Sequence, residues 1–226
     1  VLCAGAVEPI VQALDMKFET TTGNTIILRV DTVGGMLRRI ASGQTFDVVM
    51  ASAAALDELT KEGKIAPDSR VKLANIGIGV GIKTGAKAPD ISTVAAFKAS
   101  MLAASKVAYI DPASGGSSGI YVGKLFQTLG IADAIAPKSV LVKGGLAAKA
   151  VLDGKADLVV QQISEINAVP GITVVGKLPA EIQHLTPYAG AVSATSIDPV
   201  AAKAFLAVMS GPLAPPVLAA HRMDQP

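Results

Sequence analysis

The sequence predicts an α/β protein of two lobes, each built on a doubly wound sheet, and three observations carry that prediction. Short apolar runs alternate with helical patterns along most of the chain, which is the pattern of βαβ units and parallel sheets. A 21-residue stretch, 30–50, recurs in weakened form and without a gap at 140–160. Five positions match, among them the Gly34-Gly35 pair over Gly144-Gly145 and Asp47 over Asp157, so each half contains a strand, a Gly-Gly turn, a helix and a buried strand. Finally, Gly77, Gly79 and Gly81 alternate with apolar residues over 76–82. A strand with one bare face suits a chain that passes between lobes or a close backbone approach.

The first strand is Val1-Leu2-Cys3-Ala4. Glu8-Pro9 opens a helix, because proline is tolerated at the first helical position; Ile10, Val11, Leu14 and Phe18 give it an inner face and Gly23 stops it. A strand over 26–30, a helix from Gly34-Gly35 to Gly43, a strand over 47–50 and a helix over 53–62 complete the first run. The second run has a helix over 93–104 capped by Ser92, a strand over 107–110 and a helix over 118–129. Strand 140–142, helix 145–152 and strand 158–162 follow. Segment 186–195 lacks a helical period and serves as a return crossing. Asp198-Pro199 then starts a helix with its cap and first-turn proline in place. The expected lobes are 1–79 with 194–226, and 80–193, joined by a two-crossing hinge.

Composition excludes several classes. Half the residues are hydrophobic and 17% charged, as in a compact globular protein rather than a disordered one. Aromatics are 4%, tryptophan is absent, and the formal charge of +2 comes from scattered residues, so no nucleic-acid partner is expected. No apolar run reaches the roughly 18 residues that span a bilayer. Cys3, the single cysteine, lies in a strand and reads as a buried structural thiol. Neither His184 nor His221 stands in a metal or triad motif, so no metal, cofactor or catalytic residue is expected. Asp47 and Asp157 read as turn or capping residues. The start of the chain inside a strand is consistent with an export signal removed upstream.

One loop stands out: Asp111-Pro112-Ala113-Ser114-Gly115-Gly116-Ser117-Ser118-Gly119, between a strand and a helix. Small residues permit close approach, Ser117 or Ser118 can cap, and the amides of a helical first turn have no partner within the helix, so the loop is fitted to receive an anion. It is not a P-loop, since Gly123-Lys124 is followed by Leu125 inside the helix, and Gly77 to Gly81 does not fit a dinucleotide fingerprint.

Val107-Ala108-Tyr109-Ile110-Asp111-Pro112 with its Gly-rich loop, the stretch ending at Val160, and Val174-Val175-Gly176-Lys177-Leu178-Pro179 leading to Tyr188 together resemble the periplasmic molybdate-binding proteins of ABC importers. These belong to the type II periplasmic-binding fold, and the resemblance covers nearly the whole chain. It implies a ligand held between the lobes by hydroxyls and amides. Carried onto this sequence, the contributing positions are Ala4, Gly5 and Ala6 after the first strand; Thr32, Val33 and Gly34 after the second; and Ser52. In the second lobe they are Ser114, Gly116, Ser117 and Ser118, then Gln161 and Gln162, with Tyr188 at the return crossing. The family carries Ser or Thr in the first loop, where this chain has Ala4-Gly5-Ala6 followed by Glu8. A carboxylate about 5 Å from a dianion would repel it by roughly 6 kcal/mol at an effective dielectric near 20.

The expectation is therefore a periplasmic, monomeric solute-binding protein that captures a small anion, an organic carboxylate ahead of a molybdate-like oxyanion, and delivers it to an ABC importer permease without inserting into the membrane. Arg38 or Lys143 would supply counter-charge. The alternatives are a ligand-sensing domain of a transcription regulator, which needs a DNA-binding segment upstream, and an enzyme on the same scaffold, which needs a nucleophile or an arginine-lined cleft.

Overall fold

A computed structural model describes all 226 residues. In chain order the first elements are β1 (Leu2–Ala4), α1 (Glu8–Thr22), β2 (Arg29–Asp31), α2 (Val33–Ala41), β3 (Val48–Ser52), α3 (Ala53–Lys61) and β4 (Val71–Lys83). The middle of the chain forms α4 (Val94–Ala103), β5 (Val107–Ile110), α5 (Ser117–Thr128), α6 (Ala132–Ile135), β6 (Ser139–Val142), α7 (Ala148–Leu152), β7 (Leu158–Gln162), α8 (Ile163–Asn167) and β8 (Ile172–Lys177). It ends with β9 (Leu185–Val192), α9 (Pro199–Met209) and α10 (Ala214–Ala220). The chain divides into two compact units, Val1–Ile76 with Thr186–Pro226, and Gly77–Leu185. The changes of unit fall inside β4 and at the head of β9, at 77 and 186, where the sequence suggested 80 and 194.

In the first unit the sheet runs β2-β1-β3-β9 with the start of β4 beyond. β1 pairs parallel with both β2 and β3, and β9 pairs antiparallel to β3. α1 buries Ile10, Val11, Leu14 and Phe18, and Phe18 meets Phe205 of α9 edge to face with centroids 5.4 Å apart. Gly23 ends α1 in the left-handed conformation, φ 72°, where a side chain would be strained. α9 starts as its sequence dictates, with the Asp198 side chain accepting from the Ala201 amide and Pro199 in the first turn.

In the second unit β5 is flanked by parallel partners β6 and β7, β7 pairs antiparallel with β4, and β8 pairs antiparallel with β4 on its other side. The glycines of β4 have a packing reason. A Cβ at Gly79 would stand 3.1 Å from the Ile163 side chain, and one at Gly81 would run into Ile166, so the bare face of the strand admits α8. The core gathers Ile78, Val80, Phe97, Met101, Val107, Tyr109, Val122 and Phe126.

Four local expectations are corrected. Strand β2 begins at Arg29, not Ile26, because its ladder partner β1 begins at Leu2, opposite Arg29. Thr93 rather than Ser92 caps α4, accepting from the Ala96 amide at 3.1 Å, while Ser92 donates to Asp90. Gly116 is the N-cap of α5, so Ser117 and Ser118 lie in its first turn and do not cap it. Helix α7 begins at Ala148 rather than Gly145, since Gly145 takes φ 74° and cannot be helical. The two copies of the 21-residue pattern differ here for a chemical reason. Thr32 caps α2 in the first, accepting from the Gly35 amide at 3.0 Å, whereas the matching Val142 has no acceptor to offer.

Candidate functional site

Parallel strands deliver their following loops to one edge of the sheet, and in each unit the candidate residues gather there. In the first unit Ala4 ends β1 beside Asp31 at the end of β2, and β3 lies on the other side. Gly5 and Ala6 continue into a tight 3-10 turn before α1, Val33 and Gly34 open α2 behind Thr32, and Ser52 caps α3. Tyr188 of β9 is the cross-strand partner of Ser52 and is 3% exposed. The first loop offers only backbone groups. The Glu8 carboxylate accepts from Gln12 Nε2 at 2.8 Å, within its own helix.

The start of α2 already has an anion of its own. Asp31 accepts from the Thr32 amide at 2.8 Å and from Arg39 Nε at 2.7 Å. Its carboxylate lies so close to the first turn that a Cβ at Gly35 would collide with it. Asp31 thus offsets the positive end of the α2 dipole. The sequence gives no hint of this contact beyond the adjacency of Asp31 to Thr32.

In the second unit the loops after β5 and β7 leave side by side. Asp111 caps the turn after β5, accepting from the Ala113 amide at 2.9 Å, and Ser114 Oγ donates to the Asp111 carbonyl at 2.7 Å. Gly116 then presents the first turn of α5. The hydroxyls of Ser117 and Ser118 make no hydrogen bond within the chain, although Ser118 is 3% exposed. The amides of Ser117, Ser118 and Gly119 have no acceptor in the helix. Two hydroxyls and three first-turn amides, at the positive end of a 12-residue helix, are equipped to take an anion. α5 approaches β5 closely enough that a Cβ at Gly119 would stand 2.9 Å from the Ile110 carbonyl carbon and nearer still to its oxygen.

Gln161 and Gln162 end β7 and are both buried. The Gln161 side chain serves the fold: Oε1 accepts from the Ala147 amide at 2.9 Å and Nε2 donates to the Gly145 carbonyl at 3.0 Å, which holds the loop ahead of α7. Gln162 is the N-cap residue of α8. Sequence reasoning passed over Gln183, whose amide accepts from the Ile78 N–H at 2.8 Å and donates to the Ile78 carbonyl at 2.9 Å. It also passed over Tyr121, which stacks on His184 at 4.7 Å and donates to the Ile182 carbonyl. Burial raises the Tyr121 phenol above its ordinary range. Both are lone polar residues in sequence, and no local pattern marks them.

Asp47 and Asp157 have matching structural tasks. Asp47 accepts from Ser196 Oγ at 2.7 Å and the Ile197 amide at 3.1 Å, and Asp157 accepts from the Ser105 and Lys106 amides. Each ties a neighbouring turn to the start of a buried strand.

Residues 1–222 match the family model of the bacterial extracellular solute-binding proteins. The chain belongs to that family. Among curated relatives, an aconitate isomerase from a Pseudomonas species is 34% identical over 212 residues, covering 91% of this chain and 79% of the relative. Among solved structures, the periplasmic molybdate-binding protein of Azotobacter vinelandii superposes with a TM-score of 0.80 at 18% identity, covering 100% of this chain and 98% of that one. The sulfate-binding protein SubI of Mycobacterium tuberculosis gives 0.77 at 17% identity, covering 98% and 84%. The fold of this solute-binding protein is the type II periplasmic-binding fold that the sequence resemblance implied.

Proposed function

We propose that this protein captures a small organic carboxylate in the periplasm and delivers it to the permease of an ABC importer. The observation that carries this reading is the start of α5, where the hydroxyls of Ser117 and Ser118 and the first-turn amides stand without partners in the chain. Each hydrogen bond to a charged ligand is worth about 1.5–3 kcal/mol, so a few suffice for a tightly held anion. Thr32, Ser52, Gln162 and Tyr188 are the further candidates for contact, with amides of Ala4 to Ala6 and of Val33 and Gly34.

Two observations favour a carboxylate over a tetrahedral oxyanion. The first loop has no hydroxyl, since Ala4, Gly5 and Ala6 stand where the molybdate-binding family carries Ser or Thr. The 34% identical relative, moreover, is named for aconitate, an unsaturated tricarboxylate. Calorimetry against aconitate, citrate, molybdate, tungstate and sulfate tests this. Binding of aconitate or citrate in preference to the oxyanions is expected; submicromolar molybdate with no carboxylate response would overturn it.

The name of that relative supports a second reading, in which the protein isomerises its ligand rather than only holding it. Incubation with cis-aconitate or trans-aconitate, followed by proton NMR, separates the two. Binding without interconversion of the isomers supports transport alone, and steady interconversion supports the enzyme.

A further inference from the structure

We propose that His184 is a second point of attachment for the ligand, so that the site takes a di- or tricarboxylate rather than a monocarboxylate or an inorganic oxyanion. The inference rests on the carboxylate reading above and narrows it. The unused donors at the start of α5, among them the buried and unengaged hydroxyl of Ser118, account for one carboxylate. A longer anion needs another donor at a fixed place beside them. His184 has that place. Tyr121 follows Ser117 by one turn of α5, which sets their Cβ atoms about 5–6 Å apart. Helical side chains lean toward the N-terminus, so the Tyr121 ring flanks the donor turn. The His184 imidazole stacks on that ring, with centroids 4.7 Å apart and planes 15° from parallel.

His184 is exposed, yet it is held from two directions. Its platform is fixed, because the Tyr121 hydroxyl donates to the Ile182 carbonyl at 2.6 Å. Its backbone is fixed as well. The His184 N–H donates at 2.9 Å to Gln183 Oε1, and the same amide side chain grips the N–H and carbonyl of Ile78 in β4. Neither imidazole nitrogen, by contrast, has a hydrogen-bond partner in the chain, and no carboxylate stands within ion-pair distance of the ring. A ring ordered by the fold with both nitrogens unused loses little further freedom when a ligand arrives. An imidazole N–H donates to a carboxylate whether the ring is neutral or protonated. The ring lies a helical turn and an aromatic stack away from Ser117, farther than one carboxylate group can bridge. A short carbon chain with carboxylates at both ends can place one on the α5 turn and the other on His184.

Aconitate titrated into the full chain, labelled with ¹⁵N and ¹³C, tests the proposal. The ring resonances of His184 should shift saturably, with the same midpoint as the amides of Ser117 and Ser118. His184→Ala should weaken aconitate binding at least about tenfold, in keeping with loss of one charge-assisted hydrogen bond. The side chain is exposed, so that exchange leaves the fold intact, which the remaining spectrum verifies. An unmoved His184 ring while the Ser117 and Ser118 amides shift, or full affinity in His184→Ala, would overturn the second attachment and leave the carboxylate reading standing. No shift at the Ser117 and Ser118 amides with aconitate or citrate would overturn that reading and this inference with it.

Discussion

Replacing Gly119 by alanine should damage both the fold and the anion site, and the structure gives the scale. The added Cβ would sit 2.9 Å from the Ile110 carbonyl carbon, 3.0 Å from Ile110 Cγ2 and nearer to the carbonyl oxygen. The obstacle is backbone of a buried strand, so it cannot swing aside, and α5 must lift from β5 by roughly half an ångström or more to restore ordinary contact. Overpacking of this kind costs about 1–3 kcal/mol, and the better helix propensity of alanine returns up to about 1 kcal/mol. A net loss of about 1–2 kcal/mol should lower Tm by roughly 2–8 °C. Because the displaced turn carries Ser117 and Ser118, affinity for the proposed carboxylate ligand should fall about tenfold or more. Scanning calorimetry and ligand titration on Gly119→Ala, beside Ile120→Ala at a neighbouring exposed position, measure both effects. Unchanged Tm and unchanged affinity in Gly119→Ala would refute the reasoning about α5.

Three further outcomes follow from other contacts. Gln161→Leu removes the partners of the Ala147 amide and the Gly145 carbonyl in a buried setting, and urea denaturation should register a loss of about 2–4 kcal/mol. Cys3 is fully buried and its thiol is pushed well above the ordinary range by burial and by the nearby Glu8 carboxylate. It should therefore resist a thiol reagent in the native protein and react fully in urea, and fast native labelling would contradict its placement. Burial lowers His221 below its ordinary range, favouring the neutral imidazole in the fold. Protons then bind the unfolded chain first as pH falls through about 6.5, so stability should decline below that pH and less steeply in His221→Gln.

The elements were legible in sequence where local chemistry sets them. Val107–Ile110 and Leu158–Gln162 form strands over the predicted spans, and Asp198 with Pro199 starts α9 as read. Boundaries slipped where a distant partner decides. β2 is cut to the length of β1, and Gly145 is held out of a helix by Gln161, sixteen positions on. The same limit applies to the site. Three serines between a strand and a helix announced an anion-receiving turn, yet only the fold shows that Ser114 is spent on the Asp111 carbonyl while Ser117 and Ser118 are not. The family resemblance implied Gln161 as a ligand position, and in the fold its amide serves the loop ahead of α7. No local pattern could reveal the carboxylate of Asp31 pressed against Gly35, since that contact depends on how α2 turns back over β2.

The central claim is that the start of α5 grips a carboxylate through the hydroxyls of Ser117 and Ser118 and the adjacent amides. Titrating aconitate into ¹⁵N-labelled protein measures it most directly. The account predicts that the largest saturable amide shifts fall on Ser117, Ser118 and Gly119, and that Ser117→Ala with Ser118→Ala weakens binding by at least about a hundredfold. Saturable binding with those three amides unmoved, and with affinity retained in the double variant, would contradict it.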